Sequence, residues 1–309
     1  MNKVIAVAGP TAVGKTKFAI KLAQEFNGEI VSCDSMQLYK YMNIGSAKPS
    51  ADELKQARHH LVDFLDPRED FSVAMYQKLA REAIMDILSR DCIPVVSGGT
   101  GLYLNSLLYE MDFASAPQNQ SYRDELMELA EKKGSSELHK LLENKDKAAA
   151  DGIHPNNIKK VIRALERLKE GEGSIRPFSE IKEPAKDYDV LLIGLTRDRA
   201  ELYDRINRRV DVLIEEGLIR EVEQLMDMGL TSEHISMKGI GYKEIMDYLM
   251  GRITKDEAIE NVKKNTRHYA KKQLTWFRRY DKMNWYNISE YSGDEEAAED
   301  IIRWLRKNI

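Results

Sequence analysis

GPTAVGKT, residues 9–16, decides the fold. It follows the apolar run KVIAVAG (3–9) and leads into KTKFAIKLAQEF (15–26), where Phe18, Leu22 and Phe26 share one side of an amphipathic helix. Strand, glycine-bounded loop and helix in that order satisfy G-x-x-x-x-G-K-[ST] in the context the motif requires. Gly9 and Gly14 let the backbone curl around Thr11, Ala12 and Val13, so that peptide N–H groups converge on an anion. The helix N-terminus adds positive potential, Lys15 adds a full charge, and the Thr16 hydroxyl can hold Mg²⁺. The competing reading is a chance match in a tight turn, and the flanking strand and helix argue against it.

Outward from the loop, EIVSCD (29–34) and CIPVVSGG (92–99) read as further buried strands. A short helix begins at Ser50, and a longer one spans 72–90 with Ser72 as its cap. GTGLYLNSLLY is the helix after the third strand. Alternation at this spacing predicts a parallel sheet wrapped by helices. SAPQNQS (115–121) breaks the pattern, and from Tyr122 to about Gly171 the chain reads as helix alone. A polar connection, 171–187, leads to the strand YDVLLIGL (188–195). Beyond it lie helices at about 199–228, 241–250 and 255–280, the short strand MNWYNI, and a last helix near 295–308. The expectation is an α/β fold: a P-loop parallel sheet flanked by helices (1–114 and 188–309), with an inserted all-helical domain at 115–187.

Composition narrows the function. The charge of −4 taken alone argues against nucleic acid, but its distribution does not. Between Asn261 and Lys282, Lys263, Lys264, Arg267, Lys271, Lys272, Arg278, Arg279 and Lys282 face one acid, Asp281. Lys159, Lys160, Arg163, Arg167 and Lys169 form a second basic segment. Segregated basic stripes present a phosphate-binding face even on a mildly acidic protein. At about 100° per residue, Lys263, Arg267, Lys271 and Arg278 fall in one arc, with Val262, Tyr269, Trp276 and Tyr280 opposite as core packing. Two separated cysteines, Cys33 and Cys92, fit buried thiols of a reducing cytosol. No run is long enough to span a membrane, and no leader is expected, so the location read from sequence is cytoplasmic.

P-loops ordinarily serve nucleotide hydrolysis or phosphoryl transfer, with an acid on a neighbouring strand to organise Mg²⁺. Here the third strand ends in Ser97, Gly98 and Gly99, and the nearest acid is Asp34, after the second strand. In a parallel sheet these strand ends converge on the ligand crevice. Asp34 is therefore placed near the loop's ligand, and a turn or cap aspartate is an equally good reading of its position alone.

GPTAVGKT, DSMQLY, NIGSAKP, VSGGTGLY, HPNNIKKVIRALE, ELYDRINRRVDVLIEEGLIREV, GIGYKE and TRHYAKKQLTWFRR occur in one order. As an ordered set, from about Val4 to Trp285, they resemble the bacterial tRNA dimethylallyltransferases, the tRNA isopentenyltransferase family. Val13 and Asn157 stand where that family often has serine and aspartate; the tail after about Tyr286 matches nothing in it. The resemblance implies that the loop grips the leaving diphosphate of dimethylallyl diphosphate, with Mg²⁺, and that the acceptor is an adenine amine beside a tRNA anticodon. It implies Asp34 as the base, Thr11 and Arg208 at the diphosphate, and Arg205 assisting one turn earlier. It further implies tRNA contacts at Ser35, Met36, Gln37, Thr100, Arg123, Lys238, Gly239, Gly241, Tyr242 and Lys243. The basic residues Lys159, Lys160, Arg163, Lys263, Arg267, Lys271 and Arg278 then meet phosphates. A monomer is expected. Three rivals remain at this point: an ATP-dependent small-molecule kinase, a prenyltransferase acting on free adenine nucleotides, and a non-catalytic tRNA-binding protein.

Overall fold

β1 (Lys3–Ala8) is buried along almost its whole length, as a strand covered on both faces must be. The structure, a computed structural model, describes residues 2–111, 120–170 and 183–309. Most of the two expected breaks, 115–121 and 171–187, lies outside those residues. The described chain forms two compact units, Met1–Leu108 with Ala185–Ile309, and Tyr109–Pro184.

In the first unit β1 is flanked by β4 (Ile93–Gly98) and β5 (Asp189–Thr196). The six-stranded order is β3-β2-β4-β1-β5-β6, every pairing parallel, with β2 at Gly28–Ser32, β3 at His59–His60 and β6 at Asn284–Asn287. The two-residue β3 has no sequence signal, because it is an edge pairing of Ile30 and Val31 with His59 and His60. Ile5 and Val7 of β1 pack with α1 (Lys15–Glu25), with Leu202 and Ile206 of α9 (Arg199–Glu215), and with α13 (Asp294–Leu305). By alternation Val4 and Ala6 take the other face, and α3 (Val73–Ser89) packs against β2 and β4. Burying each such aliphatic side chain contributes about 1.5–3 kcal/mol.

Helix ends follow local chemistry. Ser50 and Thr254 begin α2 (Ala51–Gln56) and α12 (Lys255–Phe277) with reciprocal capping boxes to Glu53 and Glu257. Ser72 caps α3 by accepting from Met75 N. The continuous helix expected over 199–228 is two: Gly217, at φ 104°, separates α9 from α10 (Leu218–Asp227).

The second unit is helical, with α5 (Gln120–Lys133), α6 (Ser135–Lys145), α7 (Lys147–Asp151) and α8 (Ile158–Lys169) around Leu126, Leu138, Leu142, Val161 and Leu165. Its edges fall at Tyr109 and Pro184, each a few residues earlier than the 115 and 187 read from sequence. There the two chain passages run together: Tyr109 bridges Pro184, and Glu110 N donates to Glu183 O at 2.9 Å. In the first unit, Ala185 N donates to Leu108 O at 3.0 Å.

Candidate functional site

Because every strand of the sheet is parallel, the loop after β1, Asp34 after β2, Thr100 after β4 and Arg197 after β5 leave from one edge. Gly98 makes that edge compact. A Cβ there would come within 2.0 Å of the Cys33 carbonyl, so only glycine allows β2 and β4 to approach this closely. Thr100 N donates to Cys33 O at 3.1 Å, and Thr100 Oγ1 accepts from Ser35 N at 3.0 Å. Asp34 Oδ1 accepts from Met36 N at 2.8 Å, an Asx turn that orients the carboxylate and leaves its other oxygen out of that turn.

The loop itself carries two left-handed residues, Ala12 (φ 64°) and Gly14 (φ 110°), the second at the N-cap of α1. Side chains from outside hold its peptide groups. Thr11 N donates to Gln273 Oε1 at 2.9 Å, and Gln273 Nε2 donates to Gly99 O at 2.9 Å. Arg205 Nε donates to Ala12 O at 3.0 Å, and Arg197 Nε to Val13 O at 3.1 Å. Lys15 Nζ donates to Pro10 O at 2.9 Å. Burial pushes the Lys15 pKa down to about 8; the Asp34 carboxylate opposes this and Arg209 adds to it.

A cavity of about 330 Å³ opens beside the loop, lined by Ala12, Arg205, Arg208 and Arg209. The two outer arginines differ. Arg208 is paired with Asp204 on its own helix and is well exposed. Arg209 is open to the solvent of the cavity but hemmed in by protein, and the resulting desolvation lowers its pKa, with Asp34 the largest opposing charge. Arg209 therefore shares the field of Asp34 and Lys15, a position expected of Arg208 from sequence. In RINRR the two are adjacent and chemically identical, and only the packing of α9 separates them. Sequence reasoning missed Arg209 for that reason, and Gln273 because a helix glutamine carries no signal.

Other expected contacts are placed differently. Gln37 spends its amide inward, accepting from Ser32 Oγ at 3.0 Å and donating to Ala47 O at 3.1 Å. Met36 lies over Gly239, where an added Cβ would meet its Cε at 2.5 Å. Tyr242 and Gly241 are buried. The Tyr242 hydroxyl donates to Glu221 Oε1 at 2.9 Å, and the same carboxylate accepts from the N–H groups of Asn43, Ile44 and Gly45. Tyr242 is thus an anchor for the 43–45 turn, with Lys238 and Lys243 exposed on either side of it. In the second unit Arg123 makes a two-pronged pair with buried Glu166 at 2.9 Å for each bond, and Arg163 lies 3.8 Å from the same carboxylate. Lys159 and Lys160 are exposed there.

The basic arc of α12 is rotated from its expected face. Lys263 pairs with Asp211 at 2.7 Å, and Arg267 Nη1 donates to Asn207 Oδ1 at 2.6 Å, because α9 packs on that side. The exposed stripe is Lys264, His268, Lys271, Lys272, Arg278 and Arg279. Tyr269, expected in the core with Val262, Trp276 and Tyr280, instead faces the site. It is 37 % exposed, and its hydroxyl meets Thr100 and Gln273. Burial, with Asp34 adding its charge, pushes its pKa up to about 12. Val262 and Tyr280 are buried as expected.

Among the described residues no cluster of three or more His, Cys, Asp or Glu is arranged to hold a metal. Nor is any helix among them long and apolar enough to cross a membrane.

The fold and the loop define a P-loop α/β protein whose facing acid lies after β2 instead of at the end of β4. Within that class, the IPP transferase family model matches residues 37–280, and an isopentenyl transferase model matches residues 2–69. The chain belongs to the IPP transferase family. It is 50 % identical over 302 residues to a tRNA dimethylallyltransferase of Alkaliphilus oremlandii (strain OhILAs), covering 98 % of this chain and 96 % of that one. It is 43 % identical to the full-length tRNA isopentenylpyrophosphate transferase of Bacillus halodurans, with a TM-score of 0.76 and 99 % and 96 % of the two chains covered. A eukaryotic dimethylallyltransferase acting on tRNA superimposes with a TM-score of 0.81 at 28 % identity, covering all of this chain and 80 % of that one.

Proposed function

We propose that this protein transfers the dimethylallyl group of dimethylallyl diphosphate to the exocyclic N6 amine of the adenosine 3′-adjacent to the anticodon in tRNA, releasing diphosphate. The observation that carries the reading is full-length similarity to tRNA dimethylallyltransferases, joined to a phosphate loop that faces an aspartate across the sheet edge.

Cleaving an allylic C–O bond leaves positive charge on the prenyl carbon and new negative charge on diphosphate. Donors preset toward that anion contribute most of the catalysis. The N–H groups of Gly14, Lys15 and Thr16, the Lys15 ammonium and Arg209 supply them, with Gly9, Thr11, Ala12 and Val13 completing the loop. Arg205 acts from behind, through Ala12 O. The adenine amine is a weak nucleophile that acidifies as the C–N bond forms, and the Asp34 carboxylate orients it and takes the proton. Before that the base must leave its stack, at a cost of a few kcal/mol. Ser35, Thr100 and Tyr269 line the approach to Asp34.

A Mg²⁺ ion fits this donor set in one form. Mg²⁺ keeps several waters and binds through substrate phosphates, so the Thr16 hydroxyl and the diphosphate oxygens suffice without a carboxylate cluster. Bound there, it supplies charge neutralisation at the leaving group.

Phosphate contacts with tRNA are assigned to the exposed Lys271, Lys272, Arg278 and Arg279 on α12, to Lys238 and Lys243, and to Lys159 and Lys160. A tRNA substrate and two free thiols support a cytoplasmic location, and a monomer needs no second chain to complete the loop and its facing acid. The kinase reading is not favoured by the family.

The deciding experiment is incubation with unmodified tRNA, labelled dimethylallyl diphosphate and Mg²⁺, without ATP. Label on the N6-modified nucleoside and stoichiometric diphosphate release support the reading. Label on AMP in preference to tRNA, or an absolute need for ATP, overturns it.

A further inference from the structure

The anion loop is held from behind as well as shaped from within. A planar peptide that turns its N–H inward turns the preceding carbonyl outward. Two such outward carbonyls, of Ala12 and Val13, are met by guanidinium groups. Arg197, which meets Val13, is only 8 % exposed and uses its whole fork. Nε donates to Val13 O at 3.1 Å, Nη1 to Glu201 Oε1 at 2.7 Å, and Nη2 to Asp294 Oδ1. Glu201 is fixed in turn by Ser289 Oγ at 2.5 Å, and Lys17 lies 3.6 Å from Asp294. Asp294 is the first residue of α13. One cation therefore joins the loop, α9 and the C-terminal segment, the part of the chain for which the family resemblance implies no role.

We propose that Arg197, held by Glu201 and Asp294, is a positioning residue for the diphosphate site, and that α13 is thereby a working part of that site. By fixing the Val13–Gly14 peptide, Arg197 aims the Gly14 N–H into the loop. Gly14 has no side chain to restrict its left-handed backbone, so a peptide ending on it rotates more freely than one between residues that carry a Cβ. A charge-assisted bond to its carbonyl removes the freedom before the ligand arrives, and so keeps the ordering cost out of binding. The inference rests on the reading of the loop as a diphosphate holder.

The test uses the full chain and three variants, Arg197→Met, Arg197→Lys and Asp294→Asn. The readouts are inorganic diphosphate affinity by calorimetry, KM for dimethylallyl diphosphate and KM for tRNA. In Arg197→Met, diphosphate affinity falls and KM for dimethylallyl diphosphate rises, each about tenfold, while KM for tRNA holds. Asp294→Asn shows the same pattern at about two- to fourfold. Arg197→Lys recovers part of the loss, because lysine still reaches the Val13 carbonyl but cannot span both carboxylates. A lowered melting temperature with unchanged diphosphate affinity, or equal worsening of both KM values, overturns the proposal. If Arg197→Met fails to fold, unchanged diphosphate affinity in Asp294→Asn is sufficient to overturn it. A parent protein that binds no inorganic diphosphate refutes the underlying reading of the loop, and this proposal with it.

Discussion

Asp34 and Lys15 sit in one field and respond to it differently. Asp34 is held by an Asx turn, so removing its charge leaves the turn's shape largely intact. Asp34→Asn is expected to keep tRNA affinity within about twofold and to lose about 10²–10⁴-fold in kcat, the range for a general base. Single-turnover transfer beside a tRNA gel-shift checks both, and unchanged turnover would remove Asp34 from the chemistry. Lys15 makes a pH-dependent site. Its pKa in the folded protein is pushed down to about 8, against an ordinary value of 10.5, by burial. Above pH 8 the free loop loses this proton, whereas bound diphosphate favours the charged form. Binding then requires proton uptake, and KM for dimethylallyl diphosphate climbs with pH, by up to about tenfold per unit. Stability runs the other way. Between pH 8 and 10.5 the unfolded lysine holds more protons than the folded one, so this group's contribution to stability rises with pH. A KM profile over pH 7–9.5, beside thermal melts, checks the opposed signs. Lys15→Arg, whose charge persists, is expected to flatten the KM profile.

At the scale of the element, α12 performs two tasks on two faces. Its inner face carries Gln273 to the P-loop and Tyr269 to the site, and its outer face carries an exposed basic stripe. Helical periodicity finds such a stripe but cannot say which of two overlapping arcs is free, because that depends on where α9 lies. Replacing Lys271 and Lys272 together by alanine is expected to weaken tRNA binding and lower the slope of log affinity against log salt by about one to two. Lys263→Ala, which removes the partner of Asp211, is expected to leave that slope unchanged and to lower stability by no more than about 1 kcal/mol. Filter binding at several salt concentrations separates them, and equal slopes for the two variants would return Lys263 to the RNA face. Glu221 shows the same division of labour within α10. Its carboxylate takes three successive N–H groups of the 43–45 turn and the Tyr242 hydroxyl, so two family-like segments, NIGSAKP and GIGYKE, meet on one acid.

The whole molecule is two units with separate cores, and the ends of the first unit at the excursion are adjacent, Ala185 N donating to Leu108 O. Replacing residues 109–184 by a short glycine linker is expected to leave a folded protein, since closing so small a gap costs little loop entropy. That protein should bind inorganic diphosphate within about threefold of the parent and lose tRNA affinity by tenfold or more. Calorimetry and gel shift read the two, and loss of diphosphate binding would show that the sheet unit depends on the helical one.

What the sequence by itself determined about this protein lies in local pattern. The P-loop, the central strands, the serines that begin two helices and the helical excursion each carry a local signature, because backbone geometry and hydrophobic period are local properties. Asp34 was legible for a similar reason: parallel strands must deliver their ends to one edge. Only the tertiary structure set Arg209 in the field of Asp34, turned Lys263 and Arg267 toward α9, committed Gln37, Tyr242 and Arg123 to internal bonds, and brought Gln273, Arg197 and Asp294 behind the loop. Those choices are pairings across as many as 262 residues of chain. Side-chain type fixes what a group is able to bond, and packing alone fixes which partner stands within reach.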